Sequence, residues 1–102
     1  MVLISRGATA TPDEQFVVSL QARYGGTISR QALDVNDIND HTIVVGGQIA
    51  NQLYNSLYFA GYVPALDEST IGFGNILYSN VNGHHVWVLA GWSAVDTGAA
   101  VQ

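Results

Sequence analysis

Three sets of residues in this chain have types that could do chemistry. The first is His84 and His85, with His41 the only other histidine. Imidazoles bind transition metals, but adjacent strand residues point to opposite faces, so the pair cannot easily share one ion. A hairpin pair with one face in water is the favoured reading. The second set is Ser93, His85 and Asp96, the residue types of a hydrolase triad. Ser93 lies in Ala90-Gly-Trp-Ser-Ala94 rather than in a Gly-x-Ser-x-Gly elbow. His85 falls at the far end of the preceding strand, about 17 Å or more away at the usual rise per residue. The third is Asp34, Asp37 and Asp40. Their spacing invites calcium but lacks the EF-hand series and its terminal Glu, so turn capping is favoured. No catalytic residue, metal site or cofactor is assigned from these sets.

The glycines offer a different chemistry. In Thr42-Ile-Val-Val-Gly-Gly-Gln-Ile-Ala-Asn51 a β-favouring run meets two glycines and then a helical pattern. Backbone N–H groups at such a helix start can cradle an anion. The segment lacks the full Gly-x-Gly-x-x-Gly series and any following Lys-Ser/Thr, so a tight turn is favoured. His85-Val-Trp-Val-Leu-Ala-Gly-Trp-Ser-Ala94 repeats the arrangement. If the two strands are parallel neighbours, Gly46, Gly47, Asn51, Gly91, Trp92, Ser93 and Asp96 line one shallow cleft at the carboxyl edge of the sheet. Nucleotides or carbohydrates are the ligands such a cleft would take. Against this, Asn51 and Asp96 are well placed to bond local backbone.

The elements that must hold these residues can be read in order. Residues 1–10 show no clear pattern and are expected to be a flexible lead-in. Thr11-Pro-Asp-Glu14 predicts a helix start with a capping box, and Phe16, Val17, Leu20 and Tyr24 keep helical spacing over 12–24. Gly25-Gly26 ends that helix. A short strand is expected at 27–29, and an Asp/Asn-rich loop, with room for one helical turn, over 31–40. The buried strand spans 42–46. A second helix is expected over 48–60, with Ile49, Ala50, Leu53, Leu57 and Ala60 as its core stripe and Tyr54 and Tyr58 on a flanking face. Alternation predicts an edge strand over 71–81. Asn82-Gly83 is a type I′ turn signal that folds it onto strand 84–90, pairing Val81 with His84 and Tyr78 with Trp87. A third helix runs from the Ser93 cap to the end of the chain, where Gly98 costs about 1 kcal/mol against alanine. The expected fold is α/β: residues 11–102 as one domain, with a small mixed, mainly parallel sheet, flanking helices and one C-terminal β-hairpin.

Composition narrows the function. There is no lysine, and Arg6, Arg23 and Arg30 are the only basic side chains against eight acidic ones. Nucleic-acid binding draws on several Lys/Arg–phosphate contacts, so it is ranked low. The absence of cysteine removes disulfides, thiol catalysis and Cys-based metal sites. No apolar run reaches membrane-spanning length, and Met1-Val-Leu-Ile-Ser5 is too short for a signal peptide. Tyr54, Tyr58, Tyr62, Trp87 and Trp92 are many aromatics for so few charges, which fits the core of an interface and ordinary core filling equally.

Two segments carry a family resemblance. Ile43-Val-Val-Gly-Gly-Gln-Ile-Ala-Asn51 resembles the VVGGP-x-x-N segment of archaeal S-layer proteins and related secreted surface domains. His85-Val-Trp-Val-Leu-Ala-Gly-Trp-Ser-Ala-Val-Asp-Thr-Gly-Ala-Ala100 resembles their VVAG-(Y/W)-(S/T)-x-x-DT-R-AA segment. The order of the two, and the glycine-containing hairpin before the second, are also similar, so the likeness covers about residues 35–100. Gln48 stands where the family has proline, and Gly98 where it has arginine. The resemblance implies a non-enzymatic structural or assembly module at a cell surface. Its implied partners are proteins, in a homo-oligomer or surface assembly. An intracellular or virus-encoded setting stays open beside this.

Overall fold

The computed structural model describes residues 2–102. Five strands form one sheet: β1 (Val2–Arg6), β2 (Thr27–Ser29), β3 (His41–Val45), β4 (Asn75–Val81) and β5 (His84–Ala90), in the order β2-β1-β3-β5-β4. β1 is parallel to both β2 and β3, and β3 is parallel to β5. Only β4 runs antiparallel, on the edge, as its alternating sequence predicts. Three helices flank the sheet: α1 (Glu14–Tyr24), α2 (Gln52–Phe59) and α3 (Ala94–Val101). None is long and apolar enough to cross a membrane.

The two strand–glycine units lie side by side, with Val45 opposite Leu89. The hairpin register also follows the turn. Asn82 and Gly83 both have positive φ, 52° and 88°, as a I′ turn requires. Val81 then pairs with His84, and Tyr78 with Trp87.

The strands divide the core in two. Val44, Val86, Val88 and Val81 face α2, meeting Leu53, Tyr54 and Leu57. Ile4, Ile43, Val45 and Leu89 face α1 and α3, meeting Val17, Leu20, Ala100 and Val101. Each such side chain taken fully out of water contributes about 1.5–3 kcal/mol. The Tyr54 ring is fully buried rather than on a flanking face, and its hydroxyl donates to Pro64 O at 2.8 Å. Burial pushes its phenol up to about 12 from an ordinary 10.0. The folded state thus holds this proton more tightly than the unfolded chain, and stability should fall as pH climbs from 10 through 12. A Tyr54→Phe variant should lack the tyrosinate absorbance step near pH 12 and lose about 1 kcal/mol at neutral pH.

Four further expectations are corrected. The flexible lead-in is strand β1, second from the sheet edge, with Ile4, Ser5 and Arg6 buried. Its pairing partners lie more than twenty residues away, so no local pattern announces it. The capping box at Thr11 does not form. Thr11–Asp13 is a 3₁₀ turn whose cap position is Ala10, so Thr11 lies inside it, and the Glu14 carboxylate is taken by Arg6 and Arg30. α2 begins at Gln52, not 48. Asn51 is held in extended conformation by bonds to the strands, and this leaves Ile49 94% exposed in the preceding turn. β4 begins at Asn75, not 71. Gly72 has φ 92° and donates to the Asp96 carboxylate, which turns the chain before the strand.

α3 sits unusually close to backbone. A Cβ on Gly91 would stand 2.2 Å from Asp96 Cβ, and one on Gly74 would stand 2.4 Å from Ala100 N. The Phe16 ring tip from α1 lies 2.7 Å from where a Gly98 Cβ would be. Gly98 therefore admits the α1 side chain, and an arginine there would have to displace Phe16.

Candidate functional site

At the carboxyl edge of β3 and β5 the two glycine turns meet. Gly46 N donates to Leu89 O at 3.0 Å, and a Cβ on Gly47 would stand 3.0 Å from Gly91 O. A cleft of about 500 Å³ opens beside them, lined among others by Gly47, Ile49, Leu66, Trp92 and Ser93. Gly46, Asn51 and Asp96 stand behind this wall. The seven residues singled out in the sequence are therefore gathered at one edge.

Their polar groups are largely committed inward. Asn51 Oδ1 accepts from Leu53 N at 2.9 Å, while its amide nitrogen donates to Ser5 O at 3.0 Å and Val45 O at 2.9 Å. Ser93 Oγ accepts from Asp96 N at 3.3 Å, capping α3. Asp96 Oδ2 accepts from Gly72 N at 3.0 Å. The Trp92 indole donates to Asp67 O at 2.9 Å and Thr70 Oγ1 at 3.2 Å, which ties it to the 67–70 turn. Ser93 lies beyond the carboxyl end of β5 and His85 near its amino end, so the triad types are not brought together.

Sequence reasoning missed Arg6, Asp13 and Glu14, which approach the same edge from β1 and the turn before α1. Arg6 is buried and bonds Glu14 Oε1 at 2.9 Å and Gly7 O at 3.2 Å. Arg30 bonds the same carboxylate at 2.7 and 2.6 Å. The Arg30 hydrogen bond, with help from Arg6, holds the Glu14 carboxyl below its ordinary range. Asp13, buried in the cleft wall, is pushed up by desolvation, with Arg6 pulling the other way. The one signal for this group was the apolar run Val2-Leu-Ile4, too short to be read as a strand.

A second feature lies on the α1/α3 face, toward the amino ends of the strands. His41 and His85 stack at 5.4 Å between ring centroids, and His41 lies 6.0 Å from Trp87. Tyr78 lies 5.4 Å from Trp87, and its hydroxyl bonds His85 Nδ1 at 2.5 Å. An open groove of about 450 Å³ runs from this row to Arg23, Tyr24 and Val101. His84 faces away from the row and approaches Asp40 at 3.3 Å. Among the described residues no three His, Asp or Glu side chains are grouped to hold a metal ion.

The surface is rich in apolar side chains. Ile49, Val95, Phe59, Phe73, Ile76 and Ile71 are all at least 60% exposed. Ile49 and Trp92 share the cleft, and the Gly72–Asp96 bond ties the 71–73 segment to the first turn of α3, which carries Val95. No protein family matches the chain, and no curated protein sequence matches it.

Proposed function

We propose that the protein is a non-enzymatic structural module that works by protein–protein contact, in the manner of the archaeal S-layer and surface domains its paired motifs resemble. The observation that carries this reading is the apolar surface toward the carboxyl edge, where Ile49, Ile71, Phe73 and Val95 are each at least 60% exposed. Monomeric soluble proteins rarely expose contiguous apolar patches beyond a few hundred Å² unless something binds there. The setting that goes with this reading is a cell surface. Sedimentation velocity across concentration tests it. The mass should rise above 10.9 kDa as concentration increases. A strict monomer at about 1 mM, the weak limit of useful affinity, would overturn it.

A second reading is supported by the cleft itself. Its volume lies within the roughly 300–1,000 Å³ range of small-ligand sites, and Trp92 gives it an aromatic wall. On this reading the module binds a nucleotide or carbohydrate beside Gly47 and Gly91. Thermal shift against panels of both should then show stabilisation, and a flat result across the panels removes it.

A further inference from the structure

The outer edge of β4 is built to pair with another strand. A I′ turn closes on a hydrogen-bonded pair, here Val81 and His84, and such pairs then alternate along an antiparallel ladder. Ser79, Leu77 and Asn75 therefore bond inward to β5, while Asn80, Tyr78 and Ile76 point their N–H and C=O groups outward. The β5 side agrees with this phase. His85 N donates to Asp40 O at 2.8 Å and Leu89 O accepts from Gly46 N, so the partners of Asn80 and Ile76 turn away from β4 toward β3. Among the described residues no protein group bonds the six outward backbone atoms of Ile76, Tyr78 and Asn80.

Natural edges are guarded by charge, proline, bulges or shortness. β2, at the other edge, is three residues long and is followed directly by Arg30. β4 has seven residues, no charged side chain, no proline and unbroken register with β5. Ile76 and Tyr78 project from it, 64% and 53% exposed.

The geometry points to a second copy of this chain as the partner, joined β4 to β4 across a two-fold axis at Tyr78. This rests on the assembly reading and names its partner. Antiparallel pairing about Tyr78 matches every outward group with an identical set: Tyr78 faces Tyr78 of the other copy, and Ile76 faces Asn80. A two-fold interface has to be self-complementary in this way. The strand is neutral, so two chains of net charge −5 meet without like charges opposed. The result is one ten-stranded sheet. A seven-residue strand is only about 24 Å long, so the contact falls below the roughly 800 Å² per partner of a standard interface and forms a weak, concentration-dependent dimer.

Cysteine cross-linking in this cysteine-free chain tests the register. Facing residues of a hydrogen-bonded pair have Cα atoms about 5.5 Å apart, within disulfide reach. Under mild oxidation at high concentration, the Tyr78→Cys variant should form a covalent dimer. Ile76→Cys and Asn80→Cys should each stay monomeric alone and cross-link when mixed. All three positions are exposed, and circular dichroism confirms folding. Tyr78→Lys, which opposes two ammonium groups, should weaken association at least about tenfold. A Tyr78→Cys variant that stays monomeric, or an Ile76→Cys variant that links to itself as readily, overturns the proposal. Wild-type protein that self-associates while Tyr78→Cys fails to cross-link sinks only the β4 pairing. A strictly monomeric wild type sinks the assembly reading as well.

Discussion

Replacing Asn51 with alanine is expected to cost about 3 kcal/mol or more, a large part of the roughly 5–15 kcal/mol that holds a domain of this size together. Three bonds are lost at once. The cap on Leu53 N goes, typically worth about 1 kcal/mol. Ser5 O and Val45 O each lose a buried donor, at about 1–3 kcal/mol where no other partner replaces it. Asn51 is 1% exposed, so water does not readily take its place. The Asn51→Asp variant sharpens the test. It keeps the cap acceptor but turns a buried carboxylate oxygen toward two carbonyl oxygens, and it should be less stable than Asn51→Ala at neutral pH. Urea midpoints of the three proteins decide this. If Asn51→Asp is the more stable variant, the cap dominates and the strand contacts are minor.

Gly91→Ala should be comparably severe for a different reason. Its backbone is not left-handed, so conformational freedom is not at stake. The added methyl would stand 2.2 Å from Asp96 Cβ and 2.6 Å from both Asp96 C and Thr97 N. Main-chain atoms of a helix cannot swing aside as a side-chain tip can, so α3 must lift from the sheet. Overpacking costs typically about 1–3 kcal/mol, and a displaced helix belongs at or beyond the top of that range. A melting temperature lower by roughly 10–20 °C is expected. Gly61→Ala is the control. Nothing lies within 4 Å of its Cβ position, so only its φ of 86° resists, at about 1 kcal/mol. Equal losses at the two sites would mean that α3 is not seated on Gly91 as described.

These two residues show what could and could not be read in the sequence. Asn51 and Gly91 stood out as members of one cleft because two strand–glycine units pointed to neighbouring parallel strands, and Val45 does lie opposite Leu89. The hairpin register was equally legible, since Asn82-Gly83 admits few geometries. The roles of the two residues depend on partners far along the chain. Asn51 bonds Ser5, and Gly91 underlies α3; neither relation leaves a local mark. The same blindness hid β1, whose Ser5 and Arg6 are buried polar residues, and with it the Arg6–Glu14 pair. It also set helix α2 too early, because the strand contacts of Asn51 outweigh the helical spacing of Ile49. The aromatic row escaped because His41 and His85 are 44 positions apart and meet only through the β3–β5 ladder.

The strand order carries one more consequence. β1, β2 and β3 all come from the first 45 residues, and β4 and β5 form a hairpin from the last third of the chain. The sheet is thus two half-sheets, each able to pair within its own stretch of sequence, joined along the single seam between β3 and β5. Both glycine turns, the His41–His85 stack and the cleft all lie on that seam. Joining the halves is the act that creates the cleft and the aromatic row together.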